Sequence, residues 1–226
     1  MSRLEELLEG VRVFDEPEHL AENRLFGLHE LIKRVGITKK LSTVVEIGAY
    51  SGTTTELFSL FAKEVQVYNT WKLGDQTREE LRLQKAEQLF DIVASQKNSG
   101  IVKNTCNTLV EAATLVKDKS ADLLYLGHLV DYTSTIEQLK AFSSKVKPEG
   151  YLAGHGLHHP AVRQAVNEFL VDGYIEFHDY SFAFQTPKAV EPVVVAPIET
   201  PHIETIQTGS IGGLKIGNVK LEKDDR

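Results

Sequence analysis

Apolar residues in "LAENRLFGLHELIKRVG" fall close to a three- and four-residue spacing. Leu20, Leu25, Leu28, Leu31 and Ile32 therefore form one stripe along a predicted helix, with Gly36 as its stop. With the amphipathic start "MSRLEELLEGVRVF", residues 1–40 are expected as N-terminal helices. From residue 43 the period changes. "TVVEIG", "VQVYN", "GIVKNT", "ADLLYLG" and "YLAGHG" are short, nearly continuous apolar runs and predict strands. Between them, "TTELFSLFAKE", residues 77–96, "TLVEAATLVK" and "TIEQLKAFSSKV" predict helices, the last ended by "KPEG". "HPAVRQAVNEFLVDG" predicts a further helix with Pro160 in its first turn. "YIEFHDYSFAFQT" alternates and holds two strand-like runs. Repeated strand–helix units of this kind imply an α/β fold, a parallel sheet covered on both faces, closed by an antiparallel pair at 174–186.

After Pro187 the composition shifts. The stretch 188–226 has no aromatic residue and carries Pro192, Pro197, Pro201 and glycines between 209 and 213. It is expected to be an extended arm or tail. As an arm it would dock a protein partner or a second copy, through "VVVA" or "GLKIGNVKL".

The 226 residues suit one α/β domain with an appendage, here divided at 41–187. A formal net charge of −7 argues against nucleic-acid binding, which needs a basic face. The single cysteine, Cys106, excludes an internal disulfide framework and cysteine-rich zinc sites. No leader-like or membrane-spanning run is seen, so a cytoplasmic protein is expected.

The chemistry concentrates in "VVEIGAYSGTTTELF", residues 44–58. A pyrophosphate loop would need glycines at 50 and 53 after Gly48, but Tyr50 and Thr53 stand there. A triphosphate loop would need Gly-Lys-Ser/Thr, also missing. Glu46-x-Gly48-x-x-x-Gly52-x-Thr54 remains. Its glycines let a ligand approach closely. Glu46 can accept hydrogen bonds or hold a cationic group, and Thr53 to Thr55 can cap the next helix or offer hydroxyls. A zwitterionic ligand without phosphate suits this set.

This loop resembles motif I of class I S-adenosylmethionine-dependent methyltransferases. More narrowly, the loop and the later "VKPEGYLAGHGLHHPAVRQAVNEF" resemble a small methyltransferase family that combines "EIGxxxGxST" with "KPGGYIAGHD". The resemblance covers about residues 25 to 186. It implies a Rossmann-like, mostly parallel seven-stranded sheet with a closing antiparallel pair. It implies S-adenosylmethionine as cofactor, lying over Gly48 and Gly52, with Glu46, Tyr50, Ser51, Thr53 and Thr54 in its loop. Asn69 stands where the family keeps a ribose-binding acid, with Asp75 a nearby substitute. Trp71 is either an adenine-side wall or core packing. Asn107 and Thr108 either touch the adenine or cap a helix.

The family's "IDGDHSYE" is here "LGHLVDYTS", and its "AGHD" is "AGHG". Gly127 and Gly156 therefore occupy acid positions, and no metal site is expected there. His128, His155, His158 and His159 lie in the same loops. His155 is the first candidate for a general base and His128 the second, with a structural role as the alternative for His155. Asp131 either orients a histidine or caps a helix, and Asp179 and Tyr180 are read as structural, with lining of the pocket as the alternative. The resulting expectation is methyl transfer to an oxygen or nitrogen of a small molecule or sugar. The alternative is an inactive methyltransferase-like module used for binding or assembly through its arm.

Overall fold

The computed structural model describes residues 2–10, 18–37, 42–71, 78–96 and 100–188, with side chains in the first two helices for 2–8 and 25–37. Asp75, Thr77 and the expected arm after Lys188 lie outside the described residues. The elements run α1 (Arg3–Gly10), α2 (Glu18–Val35), β1 (Thr43–Ile47), α3 (Thr53–Phe61), β2 (Glu64–Asn69), α4 (Arg78–Ala94) and β3 (Ile101–Thr105). They continue with α5 (Ala112–Leu115), β4 (Ala121–Leu126), α6 (Tyr132–Ser143), β5 (Val146–His155), α7 (Pro160–Phe169), β6 (Ile175–Glu176) and β7 (Ser181–Gln185).

The strands form one seven-stranded sheet in the order β3-β2-β1-β4-β5-β7-β6. β1 to β5 pair in parallel, and β7 runs antiparallel between β5 and β6. Helices α1 to α4 cover one face, burying Leu28, Leu57, Phe58, Phe90 and Trp71 against Val44 and Tyr125. Helices α5 to α7 cover the other, where Phe142, Val162 and Val166 meet Val45, Ile47 and Phe182. The central strands are apolar on both sides because both faces are covered. Among the described residues, no helix is long and apolar enough to cross a membrane.

α2 ends where Gly36 was expected to stop it. Gly36 takes φ 72, its N–H donates to Lys33 O, and Ile37 N–H donates to Ile32 O. This paired closure is the Schellman arrangement, which satisfies the last carbonyls of a helix. Two expectations need correction. The helix predicted over 108–117 is only Ala112–Leu115. The "KPEG" segment does not precede the fifth strand but lies within β5, where the pairing with β4 shifts register between Ala121 and Leu123.

Strand alternation sets up the site. Val44 belongs to the first core and Val45 to the second, so Glu46 points to the α1–α4 side. By the same alternation His155 follows Ala153, and Ser181 matches Ala183, onto that side. The sheet order reverses between β1 and β4, the place where such sheets open a crevice beyond their strand tips.

Candidate functional site

The β1–α3 loop turns tightly through three left-handed residues: Gly48 (φ 83), Tyr50 (φ 53) and Gly52 (φ 86). Gly48 N–H donates to Tyr68 O at 2.9 Å, and Gly52 N–H to Ala49 O at 3.0 Å. Both glycines are also sterically required. A Cβ on Gly48 would lie 2.8 Å from the His128 Cβ, and one on Gly52 would lie 2.9 Å from Phe90 Cδ2. Tyr50 has no such licence, since a left-handed non-glycine costs about 1–2 kcal/mol. Its carbonyl is held by Trp71 Nε1–H at 2.8 Å, and its half-buried ring packs against the first core. Burial raises the Tyr50 pKa, with Glu79 adding to it.

Glu46 is fully buried at the end of β1. The Thr54 hydroxyl donates to one carboxylate oxygen, and the Thr55 hydroxyl to the other at 2.5 Å. Glu46 thus ties the first turn of α3 to the sheet beneath the loop. Ser51 is buried inside the loop and Thr53 is half-buried where α3 begins.

Asn69 closes β2. It is 6 % exposed, and its carbonyl accepts from Cys106 N–H at 3.1 Å. Its Nδ2 has no hydrogen-bond partner among the described residues. A buried donor left unmade costs about 1–3 kcal/mol, so this amide fits a bound acceptor oxygen such as a ribose hydroxyl. Trp71 corrects the wall expectation. It has no exposed surface, sits 4.9 Å from the Phe90 ring, and is capped by Lys103 Nζ at 4.7 Å. It supports the loop from beneath. Asn107 and Thr108 are exposed and engaged locally: Glu111 N–H donates to Thr108 Oγ1 at 3.1 Å, and Asn107 donates to Glu111 at 3.3 Å. Those bonds make a turn before α5, whose N-cap is Glu111 without a side-chain cap bond, so neither residue caps that helix.

At the β4 and β5 tips the two vacant acid positions have a steric reason. A Cβ on Gly127 would lie 2.7 Å from Gly48 O, and one on Gly156 would lie 2.8 Å from Leu129 O. Gly156 also has φ 126. Backbone fills both places, so no side chain can return there without moving it. Asp131 caps α6 by accepting from Ser134 N–H at 2.9 Å. His128 lies over Gly48, its backbone carbonyl held by Gln138 at 3.1 Å. His128 is exposed, and partial desolvation lowers its pKa against the pull of Asp131 and Glu79.

His155 is buried at the tip of β5, with the His158 ring 5.3 Å away. His158 in turn meets His159 at 3.9 Å and Tyr180 at 5.8 Å. Among the described residues no cluster of three or more His, Cys, Asp or Glu could hold a metal ion.

Asp179 is 2 % exposed, and its Oδ1 accepts from Ser181 N–H at 3.1 Å and Ser181 Oγ at 2.5 Å. It packs so closely on α2 that a Cβ at Gly27 would lie 2.3 Å from Oδ1. A glycine inside a helix costs about 1 kcal/mol relative to alanine. Gly27 was therefore the available signal that something approaches α2 there.

No protein-family model matches the chain, and no curated protein matches it. Solved structures do match. A Staphylococcus aureus protein assigned as a caffeoyl-CoA O-methyltransferase is 14% identical, with a TM-score of 0.53 over 82% of this chain and 93% of that one. An S-adenosylmethionine-dependent O-methyltransferase from Thermotoga maritima is 11% identical, with a TM-score of 0.50 over 84% of this chain and 73% of that one. The chain spans only about half, 52%, of a Galdieria sulphuraria structure assigned as a sarcosine dimethylglycine methyltransferase, at 14% identity over 64% of this chain and a TM-score of 0.45. Strand order, the antiparallel β7 and the likeness to the Staphylococcus aureus and Thermotoga maritima structures agree: the chain has the fold of the class I S-adenosylmethionine-dependent methyltransferases.

Proposed function

We propose that the protein binds S-adenosylmethionine and transfers its methyl group to an oxygen or nitrogen of a small molecule or sugar. The observation that carries this reading is the loop with left-handed Gly48 and Gly52 at the tip of β1, beside the reversal of strand order. The unpartnered Nδ2 of Asn69, one strand away, supports it. The bound cofactor supplies a methyl group already activated as a sulfonium.

The chain's own residues then have limited duties. Gly48 and Gly52 allow close backbone approach. Glu46 fixes the loop through Thr54 and Thr55. Asn69 donates to a ribose hydroxyl. The acceptor O–H or N–H gains the methyl group and gives up its proton to an imidazole. His155, at the β5 tip, is the first candidate, and His128, whose pKa desolvation lowers, is the second. An acidic chain with a net charge of −7 suits a small acceptor better than nucleic acid. A cytoplasmic location, and assembly through 188–226, belong to the same reading.

The test joins binding to transfer. The wild-type protein should bind S-adenosylmethionine in a calorimetric titration. His155→Gln should keep that affinity and lose transfer of a labelled methyl group to a library of hydroxyl and amine acceptors. A folded protein without affinity for S-adenosylmethionine contradicts the reading and leaves the fold as a binding or assembly module.

A further inference from the structure

Gln138 is buried in α6, 3 % exposed, on a helix that also buries Leu139 and Phe142. Its Nε2 donates to the His128 carbonyl at 3.1 Å. That bond fixes the amide's orientation, and the Oε1 then has no hydrogen-bond partner among the described residues. A buried acceptor left unmade is unfavourable. A methionine of similar length would fill the same space without that penalty. For the fold alone an apolar side chain is the better choice at 138.

The bond to His128 acts where two loops interlock. Gly127 N–H donates to Ile47 O at 2.8 Å. Gly48 O fills the place of a side chain at Gly127, and His128 Cβ fills the place of one at Gly48. His128 therefore sets the spacing between the β4–α6 loop and the β1–α3 loop. The far end of its segment is anchored on α6. Asp131 accepts from Ser134 N–H at 2.9 Å, and its carbonyl accepts from Thr135 Oγ1 at 2.5 Å. Between these anchors Leu129 is buried, while His128 and Val130 are exposed.

At an exposed residue, water can satisfy a carbonyl as well as an amide does. The fold does not need Gln138 for that purpose. Water, however, imposes no position, whereas a side chain on a capped helix does. Gln138 carries an unmade acceptor and in return holds one backbone oxygen in place beside Gly48.

We propose that Gln138 is a positioning residue of the site, kept at the expense of stability: through the His128 carbonyl it holds the β4–α6 loop closed on Gly48. The consequence for the cofactor rests on the methyl-transfer reading, whereas the position of His128 does not. Without the bond, His128 moves off Gly48, the glycine loop loses its cover and the imidazole enters water.

The test uses the full chain and the variants Gln138→Met and Gln138→Leu. Histidine-labelled NMR follows the His128 titration from about pH 5 to 8 without cofactor, with the signal assigned by its loss in His128→Gln. The charged groups acting on His128 are Asp131 at the start of α6 and Glu79 in α4, both raising its pKa, and desolvation outweighs them. In the wild type the midpoint should lie below the ordinary value. In both variants it should rise toward about 6.5 or beyond, because the desolvation is relieved and the acids remain. The melting temperature of both variants should equal or exceed that of the wild type. In calorimetric titration, both should bind S-adenosylhomocysteine about tenfold more weakly.

A merely structural Gln138 would lower the melting temperature when replaced and leave the His128 midpoint as in the wild type. That result in both variants overturns the proposal, as does failure of both to fold. Failure of the wild type to bind S-adenosylhomocysteine overturns the methyl-transfer reading instead, and the His128 titration then decides the role of Gln138 alone.

Discussion

Gly48 occupies a point where three constraints meet. Its φ of 83 disfavours a side chain, its Cβ position is taken by His128, and its carbonyl fills the place of a side chain at Gly127. Gly48→Ala should therefore cost about 1–3 kcal/mol in stability, read by denaturant unfolding. Glu46 gives a different kind of sensitivity. Its two oxygens accept from Thr54 and Thr55, and an amide can accept on only one side. Glu46→Gln should cost about 1–3 kcal/mol by the same measurement, whereas Glu46→Asp, too short to reach, should not rescue it. The glycines were legible in the sequence because their conformational role is local. The roles of Trp71 and Asp179 were not. A tryptophan after a strand tip reads equally as wall or core until Phe90 and Lys103 are seen around it. The His155–Ser181 pairing joins positions far apart in the chain, and only the β5–β7 register creates it.

The strands were legible as elements because their apolar runs are continuous, and β1 and β4 are buried on both sides. The failures are local competitions. Asn107 and Thr108 bond to Glu111 and hold a turn where helical spacing alone predicted helix. In "KPEG", Glu149 takes φ 62, so the chain turns and then resumes its ladder with β4. The packing of α1 could not be foreseen either. Arg3 grips the buried Glu56 of α3 with bonds of 2.7 and 3.0 Å, and Gln96 adds a third at 3.1 Å. Arg3 is itself 45% exposed, so water screens part of this attraction. Arg3→Ala should lower stability by about 1 kcal/mol and speed amide exchange in α1 more than in the sheet. Equal exchange in α1 of variant and wild type would show that apolar packing through Leu7 holds the helix instead.

The whole molecule couples its stability to pH through imidazoles that folding desolvates. Burial lowers the pKa of His128, and burial with Lys33 lowers that of His29. Below the ordinary imidazole pKa of about 6.5, the unfolded chain binds protons that the folded one refuses. Stability should therefore fall as pH drops from about 7 to 5, and His29→Gln with His128→Gln should flatten that part of a melting-temperature profile. The depressed carboxylates of Glu168 and Glu176 act in another window. Their contribution is complete above about pH 4.5 and is lost only as pH falls further through their folded values.

At the same scale lies the question of whether this methyltransferase fold still holds its cofactor. The two acid positions are closed by backbone, yet the loop and the Asn69 donor remain. Calorimetric titration with S-adenosylhomocysteine asks this most directly. The wild type should bind with a dissociation constant on the order of 1–100 μM, and Gly48→Ala, if folded, should bind at least about tenfold more weakly. A folded wild-type protein that gives no binding, or a folded Gly48→Ala that binds as tightly as the wild type, would contradict the account.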